Sequence, residues 1–190
     1  MIRKESPVEI VVVPLTPENL ADYIDDITMI YAGAVRDTVA TVELVPPDVA
    51  TMSTRISRNL SADYPAIVAL DASRRVIGYA SSSAFRKAPA FRTAMEHSIY
   101  IDEGRHRSGV GRRILAALIE TAAARGFRQM IGVIESSQAG SLAFHKAMGF
   151  VEVGRLPALA YKHDQWCTVV FVQLALGAGD TSPPNHHGRP

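Results

Sequence analysis

The sequence predicts one domain of the α/β (α+β) class, with a mixed central β-sheet of about six to seven strands flanked by about four helices. Two observations support this prediction. Short β-branched runs alternate along the chain with segments whose apolar residues recur at helical spacing, and the sequence has no internal repeat. A chain of 190 residues with 47% hydrophobic and 21% charged residues suits a single globular core. We therefore predict a single domain over residues 1–176 and a disordered, Gly- and Pro-rich tail over residues 177–190.

The first part of the chain contains two predicted helices. Thr16-Pro17-Glu18-Asn19 predicts a helix cap with proline in the first turn, and the helix then runs to about Arg36. Apolar residues at three- and four-residue steps give this helix one buried face, on which we place Met29 and Tyr31. Pro46-Pro47-Asp48 predicts the start of a second, more polar helix. Both helices are therefore expected to cover a sheet.

The strands and the remaining helices follow from apolar runs and their stop signals. The clearest helix is Gly109–Arg125, which Gly126 ends, and a shorter helix, Ala139–Met148, ends at Gly149. Between two strands, Phe85–Arg92 is a basic, aromatic loop without helical or strand periodicity. The predicted strands are Glu9–Val13, Ala66–Leu70, Val76–Ser82, Met95–Ile101, Met130–Ile134, Phe150–Arg155 and Thr168–Leu174.

Charge and hydropathy exclude several classes of protein. Lys and Arg total 20 against 19 Asp and Glu, and this net charge of +1 is too balanced for a dedicated nucleic-acid binder. No apolar run approaches the roughly 18 residues of a membrane span, and the first residues lack the apolar stretch of a signal peptide. The single cysteine, Cys167, can form neither an intrachain disulfide nor a cysteine zinc cluster. We predict a cytoplasmic protein that binds no metal, no nucleic acid and no membrane.

The most informative segment is Arg105-His106-Arg107-Ser108-Gly109-Val110-Gly111-Arg112, a basic stretch with two glycines at a helix start. A helix N-terminus presents unpaired N–H groups and the positive end of the helix dipole, and glycine lets an anion approach the backbone. The third glycine of the dinucleotide fingerprint and the Gly-Lys-Ser/Thr of the P-loop are both absent. On these residues alone, a pyrophosphate site and an ordinary helix start with solvated arginines are equally good interpretations.

The same segment resembles the Arg/Gln-x-x-Gly-x-Gly/Ala coenzyme A loop of the GCN5-related N-acetyltransferase (GNAT) superfamily. Within it, the chain from about Glu9 to Leu176 is most similar to the phosphinothricin and methionine sulfone N-acetyltransferase family. Three departures stand out: His106 replaces the loop's first Gln or Arg, and Ala88 and Val42 stand where the family has a basic residue and a phenylalanine. The segments most specific to this resemblance, in chain order, are Phe85–Arg92, Glu96–Ile101, Ser141–Phe150 and Tyr161–Trp166.

The resemblance implies a role for each of several residues. It implies that Glu96 is the general base, acting directly or through water, and that His145 is the general acid, although a polar residue on a solvated helix face is nearly as good an interpretation of His145. Arg86 and Arg92 are expected to meet an anionic group of the substrate, with solvated loop charge as the alternative. Residues expected to bind acetyl-CoA are Ile99, Tyr100, Ile101, His106, Arg107, Ser108, Gly109, Val110, Gly111, Arg112, Gln138 and Ser141.

The resemblance also implies the activity: transfer of an acetyl group from acetyl-CoA to the α-amine of a small amino acid or analogue, by direct attack in a ternary complex, within a homodimer. One alternative is acetylation of a protein N-terminus or another small amine, since a fold does not determine a substrate. The alternative from another class is a non-catalytic acyl-CoA-binding module. Lys162 and Trp166 are expected to pack the sheet or a dimer contact rather than touch the substrate.

Overall fold

Seven strands form one sheet in the computed structural model, which describes residues 10–184. The strands are β1 (Val11–Pro14), β2 (Ala66–Leu70), β3 (Val76–Ala84), β4 (Ala94–Ile101), β5 (Gln129–Glu135), β6 (Val151–Lys162) and β7 (Gln165–Ala175). Their order across the sheet is β1-β2-β3-β4-β5-β7-β6. Every neighbouring pair is antiparallel except β4 and β5, which are parallel. The predicted mixed sheet is therefore confirmed.

Four α-helices accompany the sheet within residues 10–184: α1 (Ile24–Asp37), α2 (Val49–Ser61), α3 (Val110–Ala124) and α4 (Ala139–Ala147). The Asp48 side chain caps α2 by accepting a hydrogen bond from the Thr51 amide at 2.7 Å, as expected for a residue that precedes a helix. The start of α2 and both ends of α3 and α4 agree with the predicted ones to within a residue or two.

The first helix begins later than predicted. The Thr16 amide donates to the Asn19 side chain at 2.9 Å and the Asn19 amide to the Thr16 hydroxyl at 3.4 Å, so these residues close a turn of their own instead of capping a long helix. A short 3₁₀ turn follows, and α1 starts only at Ile24. Tyr31 is buried as predicted, but Met29 is 56% exposed, so its placement in the core is wrong.

Two apolar layers lie on opposite faces of the sheet. One contains the buried faces of α1 and α2 with Tyr79 of β3. The other contains α3 with Met95 of β4 and Met130 of β5. Because successive residues of a strand point to opposite faces, Glu96, Ser98 and Tyr100 belong to the α1–α2 face, whereas His97 and Ile99 belong to the α3 face.

The hairpin of β6 and β7 is longer than predicted, since pairing continues to Lys162 opposite Gln165. Its two-residue tip, His163 and Asp164, has positive φ at both positions, 50° and 57°. This is the backbone of the tight turns whose twist matches that of paired strands. Sequence propensity understated the hairpin because neither residue is a glycine.

The end of the described chain turns back onto the sheet. The Arg128 guanidinium donates hydrogen bonds to the carbonyls of Gly179 (3.3 Å), Ser182 (3.4 Å) and Pro183 (3.2 Å). Residues 185–190, like residues 1–9, lie outside the described residues, so the disordered tail over 177–190 stays a prediction.

Candidate active site

A gap opens in the middle of the sheet where β4 and β5 part. The two strands are paired from Ala94–Gln129 to His97–Gly132. Beyond that point β4 pairs only with β3, and β5 pairs only with β7. The gap contains a cavity of about 60 Å³ lined by both strands, by α4 and by Ala40. Unpaired strand edges inside a sheet leave backbone groups free to bind a ligand.

The cavity brings together several residues that the sequence singled out. Ile99 and Tyr100 line it from β4, and Gln138, Ser141 and His145 line it from the start and the buried face of α4. The sequence predicted no role for the remaining lining residues, which are Ala40, His97, Ser98, Gly132, Val133, Ile134 and Glu135. Ile101 lies further along β4 and packs against the α3 layer.

Glu96 lies on β4 one residue before the strands part, on the face opposite His97, and its side chain is half-buried. Burial raises the pKa of its carboxyl, and the positive charge of Arg86 opposes that rise to a smaller extent. A carboxylate that holds a proton more tightly than usual is a better acceptor for a substrate proton. The arrangement suits a general base.

The two predicted substrate-binding arginines lie in different settings. The Arg86 guanidinium is exposed, lies 4.4 Å from the Phe85 ring centre and donates to the Phe85 carbonyl at 2.9 Å. Its charge reaches Glu96. Arg92 ends a short 3₁₀ turn and is half-buried. Within residues 10–184 the Arg92 side chain makes no ion pair.

His145 lies on the buried face of α4 and is 2% exposed, so its interpretation as a residue on a solvated helix face is wrong. Its Nδ1 is 2.8 Å from the Ser141 carbonyl and 3.4 Å from the Ser141 hydroxyl. Its Nε2 is 3.0 Å from Nε2 of His97, whose Nδ1 is 3.0 Å from the Ile131 carbonyl. His97 was missed by sequence reasoning, although a polar residue at a buried strand position is a signal that could have found it.

The predicted coenzyme A loop forms an exposed turn at the start of α3. Arg107 and Gly109 have positive φ, 62° and 85°. The backbone amide of Arg113 donates to the Gly109 carbonyl at 3.2 Å and closes the first turn of the helix. The amides from Gly109 to Arg112 therefore point out of the helix end. His106, Arg107, Ser108 and Arg112 are exposed around these amides, while Val110 is buried and holds the turn to the core.

A second polar cluster borders the gap on the α1–α2 face. Lys162, which is 3% exposed, donates from Nζ to the Thr41 carbonyl at 2.8 Å, and the Thr41 and Tyr31 hydroxyls lie 3.1 Å apart. Tyr31 in turn packs edge-on against Tyr100, with ring centres 5.0 Å apart. The hairpin therefore holds the loop between α1 and α2 over Tyr100. Trp166 is 67% exposed and does not pack in the sheet core.

A membrane-spanning helix and a cluster of metal-ligating side chains are both absent from residues 10–184. None of the helices there is long and apolar enough to cross a membrane. The same residues contain no cluster of three or more His, Cys, Asp or Glu side chains that could hold a metal ion.

A sheet that parts between two parallel strands, with a glycine-rich helix start beside the gap, defines the class of protein. The chain belongs to the acetyltransferase (GNAT) family, whose model matches residues 35–150. It is an acetyl-CoA-dependent N-acetyltransferase.

Within that class its similarity is to enzymes named for amino-acid analogues. It is 36% identical over 157 residues to L-methionine sulfoximine/L-methionine sulfone acetyltransferase of Pseudomonas paraeruginosa, covering 83% of this chain and 91% of that protein. It is 37% identical over 164 residues to phosphinothricin N-acetyltransferase of Alcaligenes faecalis, covering 86% of this chain and 83% of the relative. A phosphinothricin acetyltransferase from Sinorhizobium meliloti, solved in complex with acetyl-CoA, superposes with a TM-score of 0.89 at 36% identity, covering 97% of both chains.

Proposed function

We propose that this enzyme acetylates the α-amine of a small amino acid or analogue of the phosphinothricin and methionine sulfone type, by direct attack of the amine in a ternary complex. The observation that supports it most is the half-buried carboxylate of Glu96, with a raised pKa, beside the charge of Arg86 at the edge of the gap. The relatives named above act on substrates of this kind.

The proposed roles divide between the two faces of the sheet. On the α1–α2 face, Glu96 takes a proton from the substrate ammonium, and Arg86 and Arg92 hold its carboxylate or a second acidic group. From the α3 face, His145 supplies a proton through the gap. The two catalytic side chains therefore work from opposite faces, which separates the acid from the base.

Acetyl-CoA supplies the acetyl thioester. The turn amides of Gly109, Val110, Gly111 and Arg112, with Ser108 and the side chains of His106 and Arg107, would hold its pyrophosphate. The unpaired edge of β4 at Ile99, Tyr100 and Ile101, with Gln138 and Ser141 across the gap, would hold the arm that ends in the thioester. The exposed amides of the turn and the open strand edge both suit these groups.

The direct test follows thiol release from acetyl-CoA over free amino acids, methionine sulfone, methionine sulfoximine, phosphinothricin and a short peptide with a free N-terminus. Release with one of the small α-amino acids is the expected result. Release with the peptide alone would overturn the proposed substrate class and favour N-terminal acetylation. Acetyl-CoA binding measured by calorimetry without any release would instead indicate a non-catalytic acyl-CoA-binding module.

Arg86 gives a sharper test of the substrate class. Replacing it in Arg86→Ala should raise KM for the amino-acid substrate about ten-fold or more, because a charge-assisted hydrogen bond is worth about 1.5–3 kcal/mol. The KM for acetyl-CoA should not change. Lys87→Ala removes a neighbouring exposed cation of the same loop and is the matched control. An equal effect of both variants would mean that only the loop's total charge matters.

We also propose that the enzyme is a cytoplasmic homodimer. Exposed apolar side chains support the dimer: Val151, Val153, Leu156, Leu159, Tyr161 and Trp166 of the β6–β7 hairpin, with exposures from 44% to 67%. Sedimentation velocity should give twice the monomer mass for the full chain, and Trp166→Glu should shift it toward monomer. A monomer at micromolar concentration would contradict the proposal.

A further inference from the structure

Two buried histidines meet between β4, β5 and α4, and their contacts restrict where protons can lie. His97 is 4% exposed and His145 is 2% exposed. All four ring nitrogens have partners: the Ile131 carbonyl, the other histidine, and Ser141. The inference from these contacts rests on the proposed role of His145 as an acid. It concerns His97, the residue that sets which nitrogen of His145 carries the proton.

The His97 ring has one possible neutral form. Its Nδ1 lies 3.0 Å from the Ile131 carbonyl, and a carbonyl oxygen can only accept a hydrogen bond. Nδ1 therefore carries the proton, and Nε2 has a free lone pair. Burial among apolar groups lowers the pKa of His97 to about 3, so this ring stays neutral.

The form of His97 determines the form of His145. The two Nε2 atoms are 3.0 Å apart, a hydrogen-bond distance that needs one proton between them. Because the lone pair of His97 can only accept, His145 must supply that proton from its own Nε2. The neutral His145 ring then has a free lone pair at Nδ1.

Nδ1 of His145 can be satisfied in both protonation states. When Nδ1 is unprotonated, the Ser141 hydroxyl at 3.4 Å can donate to it. When Nδ1 is protonated, it donates to the Ser141 carbonyl at 2.8 Å, the shorter of its two contacts. Because that oxygen can only accept, the unprotonated Nδ1 has to turn from the carbonyl toward the Ser141 hydroxyl. Ser141 and His145 both line the cavity in the gap, so Ser141 connects this nitrogen with the gap.

The neighbours of the pair leave His97 as the group that controls His145. Around the rings lie the aromatic side chains of Phe144 and Phe150. Among charged neighbours, Glu96 points to the other face of β4, Lys146 is exposed on α4, and Glu135 is bound by Ser136 and Ser137. None of the ion pairs within residues 10–184 includes either histidine.

Gly132 of β5 makes the pairing possible. A Cβ at this position would lie 3.0 Å from Cε1 of His97, 2.9 Å from Cγ2 of Val172 and 3.7 Å from Cδ2 of His145. The first two distances are shorter than side chains tolerate without displacement. The strand therefore has no side chain at the point where the His97 ring needs the space.

We propose that His97 is a positioning residue for the acetyltransferase reaction: it accepts the Nε2–H of His145 and so leaves Nδ1, beside Ser141, as the atom through which the pair exchanges a proton with the gap. In the donating step Nδ1–H of the His145 cation turns from the Ser141 carbonyl to the Ser141 hydroxyl. One proton leaves that hydroxyl for the gap, and the Nδ1 proton moves to the same hydroxyl oxygen. His145 passes from cation to neutral ring while its Nε2–H and the whole of His97 stay unchanged. The proton lost is restored from solvent.

The primary test needs no variant. Long-range ¹H–¹⁵N spectra of the ligand-free, uniformly labelled full chain report which imidazole nitrogens carry protons across a pH titration. We expect His97 to be protonated at Nδ1 alone throughout. We expect His145 to be protonated at Nε2 alone in its neutral form and at both nitrogens in its cation. A neutral His145 that carries its proton at Nδ1 would overturn the inference.

Two variants of His97 separate positioning from packing. The shorter amide of His97→Asn reaches only the place of Nδ1, so this variant keeps the Ile131 contact and removes the acceptor for His145. The longer amide of His97→Gln reaches the place of Nε2 and offers an oxygen acceptor there. We expect His97→Asn to move the neutral His145 proton to Nδ1 and to lower kcat about ten-fold or more with KM for acetyl-CoA unchanged. His97→Gln should restore the Nε2–H form and most of kcat, and equal losses of kcat in two folded variants would show that only ring packing matters.

The same experiments distinguish this inference from the proposed function. Should the expected proton positions be found while no small amine is acetylated, the substrate proposal fails and the pairing stands. Should acetylation proceed with His145 protonated at Nδ1, the pairing fails and the function stands.

Discussion

At the scale of single residues, Glu96 and Tyr100 illustrate how one face of a strand can present both a titratable carboxylate and a tightly packed aromatic side chain. Both side chains belong to the face that α1 and α2 cover, yet only Tyr100 is packed by aromatic rings, at 5.0 Å from Tyr31 and 5.5 Å from Tyr79. Burial raises the pKa of both side chains because it disfavours their charged forms. For Tyr100 the consequence is a side chain that stays neutral, and for Glu96 it is a carboxylate with increased proton affinity.

Replacing Glu96 should slow acetyl transfer and leave the affinity for acetyl-CoA unchanged. We expect Glu96→Gln to lower kcat by about 10²–10⁴-fold, the usual contribution of a general base, with the acetyl-CoA dissociation constant unchanged. Steady-state kinetics and calorimetry on the same sample measure both quantities. Unchanged turnover would remove Glu96 from the mechanism.

The pH profile of the wild-type enzyme provides a second prediction about Glu96. A base works only when deprotonated, so kcat/KM should fall as pH falls through the pKa of Glu96, which burial raises above the ordinary carboxyl value of 4.5. Arg86→Ala removes the charge that opposes this rise, and the acidic limb should therefore move to higher pH. Lys87→Ala should leave the limb in place. An acidic limb that stays at the same pH in Arg86→Ala would contradict the assignment of that limb to Glu96.

At the scale of elements, the start of α3 combines a left-handed backbone with room for a ligand. Gly109 has a φ of 85°, which side chains rarely adopt, and a Cβ there would meet no atom within 4 Å. At Gly111 a Cβ would be in ordinary contact with the Phe144 ring, at 3.6 Å. Protein packing thus requires neither a small residue at position 111 nor the exposed arginines, whereas the proposed pyrophosphate site would account for both.

Filling this turn should affect acetyl-CoA binding in particular. We expect Gly111→Trp to weaken acetyl-CoA binding about ten-fold or more, because the indole covers amides that a pyrophosphate needs. Ala116→Trp adds the same bulk to the exposed side of the same helix and serves as the matched control. Calorimetric titration with acetyl-CoA measures the difference, and equal affinities in the two variants would count against this binding turn.

At the scale of the whole molecule, the buried histidines connect the active site to the stability of the fold. The pKa of His97 is about 3 in the folded protein against 6.5 for a free side chain. Below pH 6.5 the unfolded chain therefore binds a proton that the native state does not, and the free energy of unfolding falls as pH falls toward 3. The lowered pKa of His145 acts in the same direction, and the raised pKa of Glu96 acts in the opposite one.

The direction of this pH dependence can be measured by comparing the wild-type enzyme with His97→Gln. Between pH 6.5 and 5 the wild-type free energy of unfolding should fall with pH more steeply than that of His97→Gln, by up to about 1.4 kcal/mol per pH unit, which corresponds to one proton. Urea unfolding at several pH values gives both slopes, and the difference cancels groups common to the two proteins. Equal slopes would show that His97 is not held neutral by the fold.

The sequence by itself determined what depends on local pattern. Apolar periodicity placed α2, α3, α4 and most strands, since burial of a face imposes its period on the residues. It failed where local hydrogen bonds compete, as at Thr16 and Asn19, and where the backbone adopts a left-handed turn without glycine, as at His163 and Asp164. The family could be predicted because its motifs are contiguous in the chain.

Only the tertiary structure decided which of those residues meet. His97 and His145 are 48 positions apart, and their contact depends on the parallel pairing of β4 and β5, on the missing Cβ of Gly132 and on the buried face of α4. The parting of two strands after His97 likewise depends on non-local pairing, which no window of sequence reports. The family resemblance therefore identified the proposed acid and base, whereas long-range packing placed them on opposite faces of one sheet and set the hydrogen-bond partners of the proposed acid.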